Sequence, residues 1–274
     1  MKRIRYIVWL LATLIMMVLA LLHPLMGGVQ ATVGGTDYDR KIGNAAWGIN
    51  GLGALSQQVQ AQGQPVSPEG LHPVQKPQPP EFVQVDESYF QDALFIGDSR
   101  TVGLARHGGL GEADVFADEG LTVFRLFQAK VEYEEGKKTL EEVLAGKSYG
   151  KIYIMLGINE LGYRMERAVE KYGEVLTDIR QLQPDALIFL QANLHVTKDF
   201  SQKDKTFTNP KINEINTAIA QMADGWTCFY MDVNELFDDG EGNLDATYAS
   251  DELHIQVKYY PLWVQWLLSK GILL

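Results

Sequence analysis

The chain is short of cysteine, of clustered positive charge and of metal-binding patterns, and each shortage narrows what it can be. Cys228 is the single cysteine in 274 residues, which excludes an internal disulfide. It sits in the apolar run Thr227-Cys228-Phe229-Tyr230-Met231, with no second thiol and no neighbouring cation, and reads as small core filler rather than a thiolate. Asp and Glu outnumber Lys and Arg by 35 to 24, for a formal charge of -11, and nothing basic is clustered in the body of the chain. That balance argues against a nucleic-acid backbone as partner. The sequence also has no HExxH, no paired cysteine ligands and no EF-hand loop; its acidic run Asp238-Asp239-Gly240-Glu241-Gly242-Asn243 reads as a hairpin turn rather than a calcium site.

What is present begins with export. Lys2, Arg3 and Arg5 precede an uncharged run from Tyr6 to Leu22, a positive n-region followed by an apolar segment. Val29-Gln30-Ala31 offers a small-residue cleavage site, yet the run is nearly long enough to span a bilayer. Residues 1–31 therefore read as a signal peptide or an N-terminal membrane anchor, with the remainder placed outside the cytoplasm. An exported chain without disulfides fits a bacterial surface protein. Residues 32–84 follow as a Gly-, Gln- and Pro-rich stalk: six of the ten prolines fall between Pro65 and Pro80, a composition that gives an extended, solvated spacer. The role of residues 32–55 within it is unassigned.

The globular part is expected over residues 85–274, where apolar runs alternate with helical spacing. Strands are expected at Ala93 to Gly97, Val115 to Ala117, Ile152 to Leu156, Leu187 to Gln191 and Cys228 to Asp232. Helices are expected at Ser99 to Arg106, Thr139 to Leu144, Met165 to Leu182, Lys211 to Met222 and Gln256 to Lys270. Alternation at this spacing implies crossover connections and a parallel sheet covered on both faces, in which ligands bind beyond the carboxyl ends of the strands. Ser99 follows the first strand, Asp118-Glu119-Gly120-Leu121 the second, Gly157-Ile158-Asn159-Glu160 the third and Asn193-Leu194-His195 the fourth. Beyond the fifth comes Ser250-Asp251-Glu252-Leu253-His254, so a nucleophile, free glycines, an amide donor and a base all arrive at one edge.

Gly97-Asp98-Ser99, Gly120, Gly157-Ile158-Asn159 and Asp251-Glu252-Leu253-His254 together resemble the four blocks of the SGNH hydrolases, also called the GDSL esterases. The resemblance covers Ala93 to the C-terminus. It implies a three-layer α/β/α sandwich around a mostly parallel five-stranded sheet, flavodoxin-like, and a serine esterase activity that needs no cofactor and no metal. Arg100 stands where the family's name-giving leucine would be, and Glu160 where aspartate is usual. In the implied mechanism Ser99 is the nucleophile, His254 its base and Asp251 the carboxylate that holds the imidazole. The implied oxyanion hole is the backbone N–H of Ser99 and of Gly120 with the Asn159 side-chain amide.

Of the other histidines, His107 ends a helix, His72 and His23 lie in the stalk and the export segment, and His195 is a candidate substrate contact. Arg100, Glu160, Tyr163 and Arg164 are further rim candidates. The expected activity is removal of small acyl groups, O-acetyl above all, from an envelope or extracellular carbohydrate or a small ester. The same residues would also serve an O-acetyltransferase, and the fold alone could serve as a non-catalytic carbohydrate-binding domain. The membrane is a partner only if the N-terminal segment stays uncleaved.

Overall fold

Five short apolar segments pair laterally into one sheet whose register places the chemistry. The computed structural model describes residues 78–273 apart from residue 135, so the expected export segment and all but the end of the expected stalk lie outside the described residues. The sheet strands are β1 (Ala93–Gly97), β2 (Asp114–Ala117), β5 (Lys151–Met155), β6 (Leu187–Gln191) and β7 (Cys228–Met231), in the order β2-β1-β5-β6-β7. All four pairings are parallel. Between β2 and β5 lies a small antiparallel hairpin, β3 (Val131–Tyr133) and β4 (Gly136–Lys138).

The helices are α1 (Ser99–His107), α2 (Leu140–Gly146), α3 (Met165–Leu182), α4 (Lys198–Lys203), α5 (Asn209–Ala220), α6 (Asn234–Phe237) and α7 (Tyr260–Leu268). Because successive strand residues face opposite ways, each central strand feeds two cores. Leu94, Ile96, Ile152 and Ile154 join Tyr172, Val175 and Ile179 of α3 and Ile212, Ile215 and Ile219 of α5 on one face. Ala93, Phe95, Tyr153 and Met155 join Leu104 of α1 and Trp263, Val264 and Leu267 of α7 on the other. Register aligns Phe95, Tyr153, Phe189 and Phe229 across four strands, with ring centroids 4.4, 4.6 and 5.6 Å apart. This is the three-layer α/β/α sandwich, and its strand order reverses direction between β1 and β5, where ligands of such sheets bind.

Several boundaries differ from expectation for local reasons. The last helix is a single 3-10 turn, Val257–Tyr259, followed by α7. Pro261 lies in the first turn of α7, where its missing N–H leaves no bond unmade, and Pro210 does the same for α5, which starts at Asn209 rather than Lys211. The β3–β4 hairpin, α4 and α6 were not expected, being too short to carry a period. Two residues of the expected stalk belong with the domain: Val83 exchanges backbone hydrogen bonds with Gly271, and Phe82 lies against Phe229 at 6.0 Å. Among the described residues no helix is long and apolar enough to cross a membrane.

Candidate active site

The turn after β1 is built for close approach. A Cβ on Gly97 would collide with the Thr101 hydroxyl and the Met155 carbonyl, so glycine lets β1 bend into α1 against β5. Asp98 then caps α1, its Oδ1 accepting the Arg100 N–H at 2.9 Å, which fixes Ser99 as the first helical residue. In that position the Ser99 N–H has no acceptor within the helix.

His254 reaches the same point from the far end of the chain. Ser99 Oγ and His254 Nε2 are 2.9 Å apart, and His254 Nδ1 lies 2.9 Å from Asp251 Oδ2 and 3.1 Å from Oδ1. With a carboxylate on one side, Nδ1 carries the proton and Nε2 is left to accept from the serine hydroxyl. The loop is self-bracing: Asp251 Oδ1 also accepts the backbone N–H of His254 at 2.7 Å and of Leu253 at 3.2 Å, while Ala249 and Ile255 pair across its neck. Glu252 between them adopts φ 68°, a left-handed backbone that a non-glycine residue holds only when its surroundings enforce it. Burial pushes the Asp251 carboxyl up, but the hydrogen bonds from His254 outweigh it and hold the group below its ordinary value.

The other two loops are laced to this turn. The Asp118 N–H donates to the Gly97 carbonyl at 3.2 Å, and Leu121 N–H closes a turn onto Asp118 with Gly120 at φ 71°, a conformation that favours glycine. Asn159, in the 3-10 turn Ile158–Glu160 after β5, donates its amide to the Leu121 carbonyl at 3.1 Å. Since Nδ2 carries two N–H bonds, one remains beyond that contact. Gly157 precedes it at φ 132°, where a Cβ would strike the Asn193 amide at 2.5 Å. Ser99, Gly120, Asn159 and His254 thus share one sheet edge, beside an open cleft of about 310 Å³ lined by Ser99, Val102, Arg106, Glu119, Ser250 and His254 among others.

Residues 95–260, more than half of the chain, match the model of the GDSL-like lipase/acylhydrolase family. The chain belongs to that family. It is an SGNH-type esterase by that membership. No curated protein matches it. Among solved structures, a GDSL-like lipase from Bacteroides thetaiotaomicron is similar with a TM-score of 0.50 at 13% identity, covering 68% of this chain and 91% of that one. An acetyl xylan esterase, AlAXEase, is similar with a TM-score of 0.50 at 15% identity, covering 65% of this chain and 98% of that one. At these identities the likeness is one of fold.

In the esterase, the three residues expected as substrate contacts are buried instead. Arg100 is 1% exposed, and its Nη2 donates to the carbonyls of Leu194 and Leu253, each at 3.4 Å. It ties the loop after β6 to the loop of His254. Burial lowers its basicity while Asp98, itself buried and raised above its ordinary value by burial, opposes that drop. Glu160 is also 1% exposed, and its Oε1 accepts the Val123 N–H at 2.6 Å, a second lace between the Asn159 and Gly120 loops. Burial pushes its carboxyl up to about 7; the Val123 N–H pulls the other way, and the charge of Asp98 adds to burial.

His195 is buried too, with Nδ1 2.7 Å from Asp238 Oδ2 and Nε2 2.8 Å from Asn213 Oδ1. Burial disfavours its charged form, but the bonds to Asp238 and Asn213 prevail and raise its pKa above the ordinary value. Tyr163, by contrast, is exposed, its ring tilted at 37° against that of Phe124 with centroids 4.9 Å apart. Sequence reasoning missed an asparagine scaffold: Asn216 and Asn234 bind the backbone of Asn193 and His195, and Asn209 binds both polar groups of Val196. The recurrence of asparagine at 193, 209, 216 and 234 was its only signal. From that scaffold the Thr197 N–H donates to the Glu252 carbonyl at 3.0 Å, within the loop that carries Asp251 and His254. The acidic run at Asp238 forms a turn, closed by the Asp238–Leu244 bridge and an Asp239 N–H to Asn243 carbonyl bond of 2.7 Å.

Proposed function

We propose that the esterase cleaves small acyl esters, O-acetyl above all, from a carbohydrate outside the cytoplasm, with Ser99, His254 and Asp251 as its triad. The observation that carries this reading is the unbroken hydrogen-bond chain from Ser99 Oγ through the His254 ring to Asp251, at 2.9 Å and 2.9 Å. His254 Nε2 takes the hydroxyl proton as Ser99 Oγ attacks the acyl carbon, and Asp251 stabilises the imidazolium. The oxyanion is received by the N–H groups of Ser99 and Gly120 and by the Asn159 amide. His254 returns the proton to the departing sugar oxygen, and water then attacks the acyl-enzyme with the same base.

The cleft sets Arg106, His107, Glu119 and Ser250, which can bond hydroxyls, beside Val102, Ile255, Val257 and Tyr260, which can cover the C–H face of a sugar ring. The acetyl xylan esterase among the structural neighbours performs an acetyl removal of this class on the same fold. The N-terminal segment, read as signal or anchor, motivates the location. Ser99→Ala should abolish hydrolysis of an aryl acetate and labelling by a fluorophosphonate probe, with an unchanged circular dichroism spectrum. Activity in the variant equal to wild type would overturn the assignment. Fractionation of producing cells should place the protein in the envelope or medium; a cytoplasmic pool alone would remove the exported role.

A further inference from the structure

We propose that the esterase binds an uncharged glycan chain, not a single sugar, along a groove that runs from Ser99 over α1 to the β3–β4 hairpin. This inference rests on the carbohydrate ester reading above and extends it. The cleft at Ser99 does not end at the catalytic residues. Val102, Arg106 and Glu119 line it and also line a second concavity of about 370 Å³, which continues over Ala105, Val115 and Ala117 to Val131 and Glu132. The floor of both is one face of one helix, because Ser99, Val102 and Arg106 are spaced to share a stripe. Seven residues of α-helical rise carry that stripe about 10 Å away from the nucleophile. A single acetylated sugar held with its ester at Ser99 would leave the far half of the groove empty.

The chemistry of the lining matches a sugar polymer. Val102, Ala105, Val115, Ala117 and Val131 give an apolar floor for the C–H faces of pyranose rings, while Arg106, Asp118, Glu119 and Glu132 supply hydrogen-bonding groups for hydroxyls. Three carboxylates face one guanidinium in this lining, and among the described residues Lys137 of β4 pairs with Glu132 at 3.4 Å. Together with the formal charge of -11, this field repels a polyanionic chain and leaves a neutral one unopposed. The occupant is therefore an uncharged oligosaccharide whose acetylated residue sits at Ser99 and whose neighbours extend toward Glu132.

The test uses the full chain with 4-nitrophenyl acetate, with acetylated neutral oligosaccharides of two to six residues, and with acetylated oligogalacturonates of the same lengths. Wild type should deacetylate the neutral hexamer at least tenfold more efficiently, in kcat/KM, than the dimer, and more efficiently than the galacturonate hexamer. Ala105→Trp, which fills the groove midway, should bring the hexamer down to the dimer's efficiency and leave aryl acetate hydrolysis unchanged. Should that variant disturb aryl acetate hydrolysis, Glu132→Trp at the far end serves the same comparison. Equal efficiency at every length, or a hexamer advantage that survives both substitutions, overturns the groove and leaves the carbohydrate ester reading standing. Equal rates on neutral and galacturonate chains overturn its charge preference. If aryl acetate is cleaved and no acetylated glycan of any length is, the carbohydrate reading itself falls, and this inference with it.

Discussion

The Arg100 guanidinium, rooted next to Ser99, donates at 3.4 Å to the carbonyl of Leu253, the residue that precedes His254. One side chain thus couples the helix that carries Ser99 to the loop that carries His254. Replacing it with the leucine usual in the family should leave Asp98 buried without its opposing charge and free the loop. Arg100→Leu is expected to lose about 1–3 kcal/mol of stability, the scale of hydrogen bonds from a charged donor, and to lower kcat more than it raises KM. Chemical denaturation and steady-state kinetics check both. Adding Asp98→Asn should restore part of the stability.

Asp251 fixes the tautomer that leaves His254 Nε2 free to accept a proton. Asp251→Asn would offer that ring a donor where it needs an acceptor, and kcat on an aryl acetate should fall on the order of 10³- to 10⁴-fold with KM little changed. A loss of less than tenfold would mean that the carboxylate is dispensable.

Asn159 has two duties, a bond to Leu121 and the proposed oxyanion contact. Asn159→Ala is expected to reduce kcat on the order of 10²- to 10³-fold, while the lost Leu121 bond costs about 1 kcal/mol of stability. A variant that keeps wild-type kcat and loses only stability would confine Asn159 to bracing the Gly120 loop.

Glu160 makes a prediction about pH. Its folded carboxyl holds a proton up to about 7, against an ordinary value of 4.5, so between those values the native state binds more protons than the unfolded one. Its contribution to stability therefore falls as pH rises through that window and is flat above it, a total of about 3 kcal/mol. Glu160→Gln keeps an acceptor for Val123 and removes the titration. Measured by denaturation from pH 4 to pH 8, the variant should gain on wild type with rising pH, and parallel curves would refute the buried protonated acid.

The elements most legible in the sequence were those with an unbroken signal. β1 and β6 are continuous apolar runs that the sheet buries completely, and α3 repeats its buried residues, Ala168, Tyr172, Val175 and Ile179, at helical spacing. Three-residue strands such as Val131–Tyr133 carry too few positions to show a period. The family was legible because the order and spacing of its four blocks are specific even where each block alone is common. Arg100, Glu160 and His195 misled because charged side chains in loops usually face water, and only the tertiary partners, Leu253, Val123 and Asp238, reveal why these do not.

Ser99 and His254 are separated by 155 positions in the chain. Synthesis from the N-terminus delivers Ser99 well before His254, whose loop is held in the folded chain by Arg100 at Leu253 and by Thr197 at Glu252. A growing chain that already displays Ser99 holds only an ordinary, unactivated alcohol. On the proposed triad, the hydrogen bond that activates Ser99 becomes possible only after the C-terminal loop carrying His254 has been made.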